Sequence, residues 1–242
     1  MKFMDFVRKI FSRKFWIAAA GVTTGVAMII GATETEIGTV SGAVLALGSV
    51  ASYIVVEGKE INRNINKVYY LLNKPRGVVS TSSDDKNRKT VVDLIDCEER
   101  IYPIGRLDFD TTGIMILTND GELTNYLMHP KNKIRKTYLA KVEGVLDKIA
   151  IDKLKKNIII DNRKVDIVDF KIKKKDEKKN YTFVLITIIE GRNHIVKKIF
   201  EKLGYPVSKL TRVGYDFLTL GNLQSGEYRN LTIKEVKKLY RK

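Results

Sequence analysis

Two charge-free stretches open the chain, residues 15–32 (FWIAAAGVTTGVAMIIGA) and residues 37–56, separated by the acidic turn Thr33-Glu34-Thr35-Glu36. Each has the length of a helix, and spanning a bilayer takes roughly 20 mostly apolar residues. Gly21-xxx-Gly25 and Gly38-xxx-Gly42 would let two such helices approach closely in lipid. Arg8, Lys9, Arg13 and Lys14 precede the first run, which by the positive-inside rule leaves both ends of the hairpin in the cytoplasm. The pattern therefore predicts an apolar two-helix hairpin over residues 1–56. It is either a membrane tether through residues 15–56, or a soluble hairpin buried against another domain or subunit, since many small residues dilute the membrane signal. No cleavage-site pattern followed by a secreted, disulfide-permissive chain marks a signal peptide.

Residues 57–67 (EGKEINRNINK) are polar and read as a linker, after which the periodicity changes. Residues 68–73 are a β-rich run that stops at the turn Lys74-Pro75-Arg76-Gly77, and residues 80–89 are a polar loop. Residues 114–118 predict a short apolar strand, and Asn119-Asp120-Gly121-Glu122 a helix start ahead of residues 123–128. Residues 134–142, 165–173 and 181–190 alternate as strands do, with the lysine-rich stretch 173–180 as a hairpin turn. Helical spacing through Ile195, Val196, Ile199 and Phe200 marks residues 193–203, ending at Gly204, and Thr232-x-x-Glu235 is a capping box opening a last helix. Runs of strands with helices between them, and no βαβ regularity, predict an α+β domain over residues 68–242. Its sheet should be mostly antiparallel, mixed, and flanked by helices.

Charge narrows the partner. The chain carries 44 Lys plus Arg against 28 Asp plus Glu, a net +16 at pH 7. Residues 1–56 hold five basic and three acidic side chains, so nearly all of the excess lies in the second part. Such a surplus favours a polyanion, because each neutralised phosphate releases counterions. Cys97 is the only cysteine, which excludes an intrachain disulfide and a cysteine-based metal site and fits a reducing cytosol.

The candidate chemistry sits in Gly105-Arg106-Leu107-Asp108-Phe109-Asp110-Thr111-Thr112-Gly113, which runs on into IMILTNDGEL. On physical grounds this is a turn holding one Arg and two carboxylates at the start of a buried strand, and a lone loop Asp is ordinarily a turn or cap residue. Other strings accompany it in order: Lys74-Pro75-Arg76-Gly77, then MHP after LTNDGEL, then Lys136-Thr137-Tyr138, then Glu190-Gly191-Arg192-Asn193-His194-Ile195-Val196-Lys197-Lys198. Taken together they resemble bacterial ribosomal-RNA pseudouridine synthases, over about residues 54–242.

The resemblance implies an isomerase that turns a specific uridine of ribosomal RNA into pseudouridine, the large subunit being favoured by the tail LTLGNLQSGEYRNLT. It implies Asp108 as the catalytic carboxylate, attacking the sugar or abstracting a proton from it. Lys197 is the expected cation paired with Asp108, with Lys198 its adjacent competitor, and such a neighbour favours the ionised carboxylate. Tyr138 matches the tyrosine that stacks on the base and takes part in the late proton transfer. Arg106 is expected to brace the RNA backbone and the flipped nucleotide, and Lys74, Arg76, Lys136, Arg192 and Asn193 to contact RNA. No electrons are exchanged in this reaction, so no cofactor or metal is expected, and the domain is expected to act as a monomer. Asp110 and Asp120 read as turn or cap residues, His129 as loop packing, and His194 as RNA-facing or structural. The basic run from 131 to 178 reads as a solvated face that also tracks phosphates.

One departure accompanies the resemblance. Such enzymes begin with a small alpha-L RNA-binding module, and here only VEGKEI (56–61) is similar to its last strand, the apolar hairpin standing in the rest of its place. Residues 12–54 loosely resemble small two-helix membrane proteins of phages, which suggests a fusion. Two rival readings follow, a membrane-anchored RNA-binding protein whose catalysis has lapsed, and a phage-type membrane protein carrying a passenger enzyme domain.

Overall fold

The computed structural model describes residues 55–56, 59–60, 66–156 and 158–240, and the apolar runs of residues 15–54 lie outside these. Among the described residues no helix is long and apolar enough to cross a membrane. The chain divides into two compact units, Met1–Asn66 and Lys67–Lys242. The described part of the first is an antiparallel pairing of β1 (Val55–Val56) with β2 (Lys59–Glu60).

The second unit begins with β3 (Tyr69–Lys74), β4 (Tyr102–Pro103), β5 (Thr112–Thr118) and the helix α1 (Gly121–Met128). Next come β6 (Lys136–Glu143), α2 (Lys148–Lys155) and a small hairpin, β7 (Ile159–Ile160) with β8 (Arg163–Lys164). The long hairpin β9 (Ile167–Asp176) and β10 (Tyr181–Ile188) precedes α3 (Ile195–Lys202) and β11 (Val207–Tyr215). The chain closes with β12 (Leu218–Thr219), β13 (Tyr228–Asn230) and α4 (Ile233–Tyr240).

One nine-stranded sheet carries this unit, in the order β13-β3-β5-β11-β6-β10-β9, with β12 on β11 and β4 on β5. Its pairings are antiparallel except β11 with β5, which run parallel through Thr211↔Thr112 and Arg212↔Gly113. The α+β class and the mostly antiparallel mixed sheet are thus as expected.

Sequence texture follows position in the sheet. β10 lies beside the edge strand β9 and alternates strictly, with Thr182, Val184, Ile186 and Ile188 buried and the residues between them half-buried. β5 lies at the centre and is buried on both faces, so its TGIMILT shows no alternation. The two faces hold separate cores. Leu72, Met115 and Leu117 pack with Ile199 and Phe200 of α3 and Leu154 of α2. Leu71, Ile114 and Ile116 pack with Leu123 and Leu127 of α1 and Leu239 of α4. The short β5–β11 pairing brings the GRLDFDTTG loop of the first half against the second half of the chain.

Candidate active site

The loop before β5 is held from within. Lys74, at the end of β3, is 0% exposed, and its Nζ donates to the carbonyl oxygens of Pro75 (3.0 Å), Asp108 (3.2 Å) and Thr111 (3.0 Å). Burial pulls the Lys74 pKa down to about 8 against the charges of Asp108 and Asp110. Gly77, at a φ of +80 that favours glycine, lets the KPRG turn fold back so that its N–H donates to the Phe109 carbonyl at 2.9 Å. Ser80 Oγ donates to the Leu107 carbonyl (2.7 Å) and accepts from the Leu107 N–H (3.1 Å). Leu107, which precedes Asp108, and the turn following it are therefore fixed to β3 and its loop.

The helix α3 meets this loop from the other side. Lys197 Nζ lies 3.1 Å from Asp108 Oδ2 and donates to Asp110 at 2.8 and 3.0 Å. Burial pulls the Lys197 pKa down, and the hydrogen bonds and charges of Asp110 and Asp108 more than offset it, leaving it above the ordinary lysine value. The same bond holds the Asp110 carboxyl below its usual range. Lys198 points elsewhere, to Asp161 at 2.6 Å, because successive helical residues differ by about 100° in direction. His194, in the left-handed region with a φ of 54 at the start of α3, brings Nε2 to 3.2 Å from Asp108 Oδ1. Thr111 Oγ1 reaches Asp108 Oδ2 at 3.4 Å. The Asp108 carboxylate is three-quarters buried and faces two basic groups from one helix.

Asp108 lines a cleft of about 530 Å³ whose wall also includes Arg106, Lys136, Tyr138, Arg192 and Asn193. Tyr138 is 8% exposed on β6, opposite Ile186 of β10 and Arg212 of β11. Arg106 and Asn193 are exposed, as an RNA contact needs. Of three more residues expected to touch RNA, one is buried, one lies outside the cleft lining, and one lines the cleft with its guanidinium already bound. Lys74 has no exposed surface and supports the Asp108 loop from within. Arg76 is exposed outside the cleft lining. Arg192 is tied to Glu190, to the Ile160 carbonyl (2.7 Å) and to the Lys164 carbonyl (3.2 Å), which anchors the β7–β8 hairpin to the cleft wall.

Of the remaining expectations, Asp120 caps α1, and Asp110 binds Lys197 instead of capping a turn. His129 is exposed, its Nδ1 accepting from the Lys131 N–H at 3.3 Å. One functional candidate escaped the sequence reading. Arg212 is 2% exposed, lines the cleft and donates through Nε to the Ile114 carbonyl at 2.7 Å. Its neighbour across the parallel pairing is Gly113, where a Cβ would run into the Arg212 backbone, so the last glycine of GRLDFDTTG exists to let β11 close in.

The family model of the RNA pseudouridylate synthases matches residues 68–202. The ribosomal large subunit pseudouridine synthase B of Bacillus subtilis is 44% identical over 219 residues, 90% of this chain and 86% of that protein. An uncharacterized RNA pseudouridine synthase of Mycobacterium tuberculosis is 36% identical, over 90% of this chain and 85% of its own. A pseudouridylate synthase of known crystal structure superposes with a TM-score of 0.62 at 32% identity, covering 72% of this chain and 74% of that one. A match over 90% of the chain extends well upstream of Val68, so the expected fusion of a foreign segment finds no support, and among the described residues nothing supports the membrane tether. The chain belongs to the RNA pseudouridylate synthase family and is an isomerase acting on RNA.

Proposed function

We propose that this enzyme converts one uridine of large-subunit ribosomal RNA to pseudouridine, with Asp108 as its catalytic carboxylate. The observation that carries the reading is the Asp108 carboxylate on the cleft wall, clamped by Lys197 at 3.1 Å and His194 at 3.2 Å. The 44% identity to a large-subunit synthase supports the choice of RNA. That substrate places the enzyme in the cytoplasm, where ribosomal RNA is modified.

An enzyme that works on a stacked base must extrude it, and the cleft offers room for one nucleotide. Arg106 and Asn193 at the rim hold the backbone, and Tyr138 packs on the extruded base. Asp108 then attacks the sugar or takes a proton from it while the bond between ribose and base breaks. The base turns, its carbon 5 joins the sugar, and the proton at carbon 5 leaves. Lys197 and His194 keep one orientation of the carboxylate throughout, which is the advantage of a preset geometry.

Tritium release from large-subunit RNA labelled at carbon 5 of uridine tests this. Wild-type protein should release tritium, and Asp108→Asn should lose about a thousandfold in rate while binding RNA within about threefold of wild type. Turnover by Asp108→Asn would remove Asp108 from the reaction, and release only from small-subunit RNA would correct the substrate.

A further inference from the structure

Arg212 is a cation in the interior with a donor left over. It is 2% exposed, its Nε is bound to the Ile114 carbonyl, and its Nη2 has no hydrogen-bond partner among the described residues. A guanidinium does not deprotonate in a protein, so it cannot escape the cost of burial by becoming neutral. A buried donor of this kind calls for an acceptor, and Arg212 lines the cleft that holds Asp108.

The surroundings add to that demand. The guanidinium carbon lies 5.2 Å from the Tyr215 ring centroid, and Lys136 Nζ lies 5.9 Å from the same ring, so two cations share one part of the wall. The Arg212 charge helps pull the Lys136 pKa down. Glu190, the carboxylate whose charge opposes this, is already bound to Arg192. In sheet register Arg212 is directly opposite Tyr138, the residue assigned to the base. The part of the cleft beside Tyr138 is therefore electropositive, while Asp108 supplies negative charge to the same cleft.

We infer that Arg212 is a further catalytic residue, which holds a carbonyl oxygen of the uracil and stabilises the negative charge on that base after its bond to ribose breaks. The inference rests on the proposed isomerisation but not on either version of the Asp108 step. When C1′–N1 breaks, its electron pair stays with uracil and spreads over N1, O2 and O4. Asp108 meanwhile either forms a bond from its oxygen to C1′ or takes the proton from C2′. Uracil then uses its electron pair to form C5–C1′ as the Asp108–C1′ bond breaks or the C2′ proton returns. The C5 proton leaves, N1 gains one, and no oxidant or reductant takes part. A fixed donor in a desolvated wall lowers the energy of the separated pair of charges.

Uracil's own symmetry makes one donor sufficient. Turning the base about its N3–C6 axis exchanges N1 with C5, which the isomerisation requires, and also exchanges O2 with O4. Arg212 can stay where the backbone of β11 and the Ile114 carbonyl hold it, and meet one carbonyl oxygen before the turn and the other after it.

The test is a single-turnover assay with a short RNA carrying the mapped target as uridine, 2-thiouridine or 4-thiouridine, the product being read by nucleoside chromatography. Sulfur is a poor acceptor, so each thio substitution should slow the wild-type enzyme about tenfold. Arg212→Met should slow uridine conversion about a hundredfold with RNA affinity within about threefold, and should erase both thio penalties. A structural role alone would leave those penalties in place. Persistence of the penalties in Arg212→Met would overturn the inference. So would equal rates on all three RNAs with the wild-type enzyme, an outcome that needs no variant to fold. A wild-type enzyme that converts no uridine in ribosomal RNA would defeat the proposed function itself, and this inference with it.

Discussion

Lys74 carries a charge into a place without solvent, and three backbone carbonyls make that tolerable. Lys74→Met keeps the length of the side chain and removes the donor, so three interior carbonyls lose a shared partner and the Asp108 loop its inner anchor. Stability should fall by about 2 kcal/mol and turnover by more than about tenfold, as read by urea unfolding and tritium release. Unchanged values for both would mean that the anchor is idle. Lys136 offers a pH test. Burial, then the Arg212 charge, bring its pKa to about 8 against the opposing charge of Glu190. Its cation is complete below that value and lost as the pH rises through it. RNA affinity should weaken between about pH 7 and pH 9, whereas Lys136→Met should bind more weakly at the lower pH and show no further loss. Parallel pH profiles for the two proteins would exclude Lys136 from the RNA contact. The pairing of Lys197 with Asp108 was legible because each stands in a string with few alternatives. Arg212 was not, since its hydrogen-bond partner Ile114 is 98 positions away and only the β5–β11 pairing joins them. Nor did the sequence show that Lys74 points inward, for a Lys-Pro-Arg-Gly turn is ordinarily a surface feature.

At the scale of elements, one carboxylate ties three of them together. Asp120 caps α1 by accepting from the Glu122 and Leu123 N–H groups, and it also accepts from Tyr69 of β3 (2.6 Å) and Tyr240 of α4 (2.5 Å). Burial works against its ionisation, but the two phenols, the Leu123 N–H and Lys67 outweigh it and bring its pKa to about 2. A carboxyl whose folded pKa lies below its unfolded value stabilises the fold fully above the unfolded value. That stabilisation disappears as the pH falls through about 4 towards 2. Asp120→Ala should therefore cost about 3 kcal/mol at neutral pH, from the lost cap and two stranded phenols. The gap to wild type should close at about pH 2, which thermal unfolding at both pH values would reveal. A gap independent of pH would assign the loss to packing instead. The helix starts at Asp120 and Thr232 were legible because capping is local chemistry. In α4 the Thr232–Glu235 box closes both ways, at 3.2 and 2.8 Å. α2 went unread although Ala150 and Leu154 on one face of it are buried with Leu146 just ahead of it, because five charged residues within residues 147–155 make the stretch resemble the lysine-rich loops around it.

For the whole molecule, the question is what the excess of positive charge does. The cleft is lined by the loop before β5 and by β6, β11 and α3, and under the proposed function a bound RNA is expected to meet Arg106, Lys136 and Asn193 there. The lysines of β9 lie elsewhere, on the last strand in the order of the sheet, where Lys171, Lys173 and Lys174 are exposed. An open edge strand is a template for pairing with another chain, and lysine along it is the ordinary defence. We therefore expect these lysines to serve solubility and the charges near the cleft to serve RNA. About two phosphate contacts, from Arg106 and Lys136, at roughly 0.7 each predict that log affinity falls with log salt with a slope near ~1.4, about sevenfold between ~50 and ~200 mM. Replacing Arg106 by Gln should reduce the slope by about 0.7, the share of one phosphate. Changing Lys171, Lys173 and Lys174 together to Gln should leave the slope unchanged and lower the concentration at which light scattering detects aggregates. If instead the triple change flattened the salt dependence with no effect on aggregation, the RNA path would have to extend from the cleft across β10 to the sheet edge. The basic stretch between 131 and 178 would then be a continuous phosphate track.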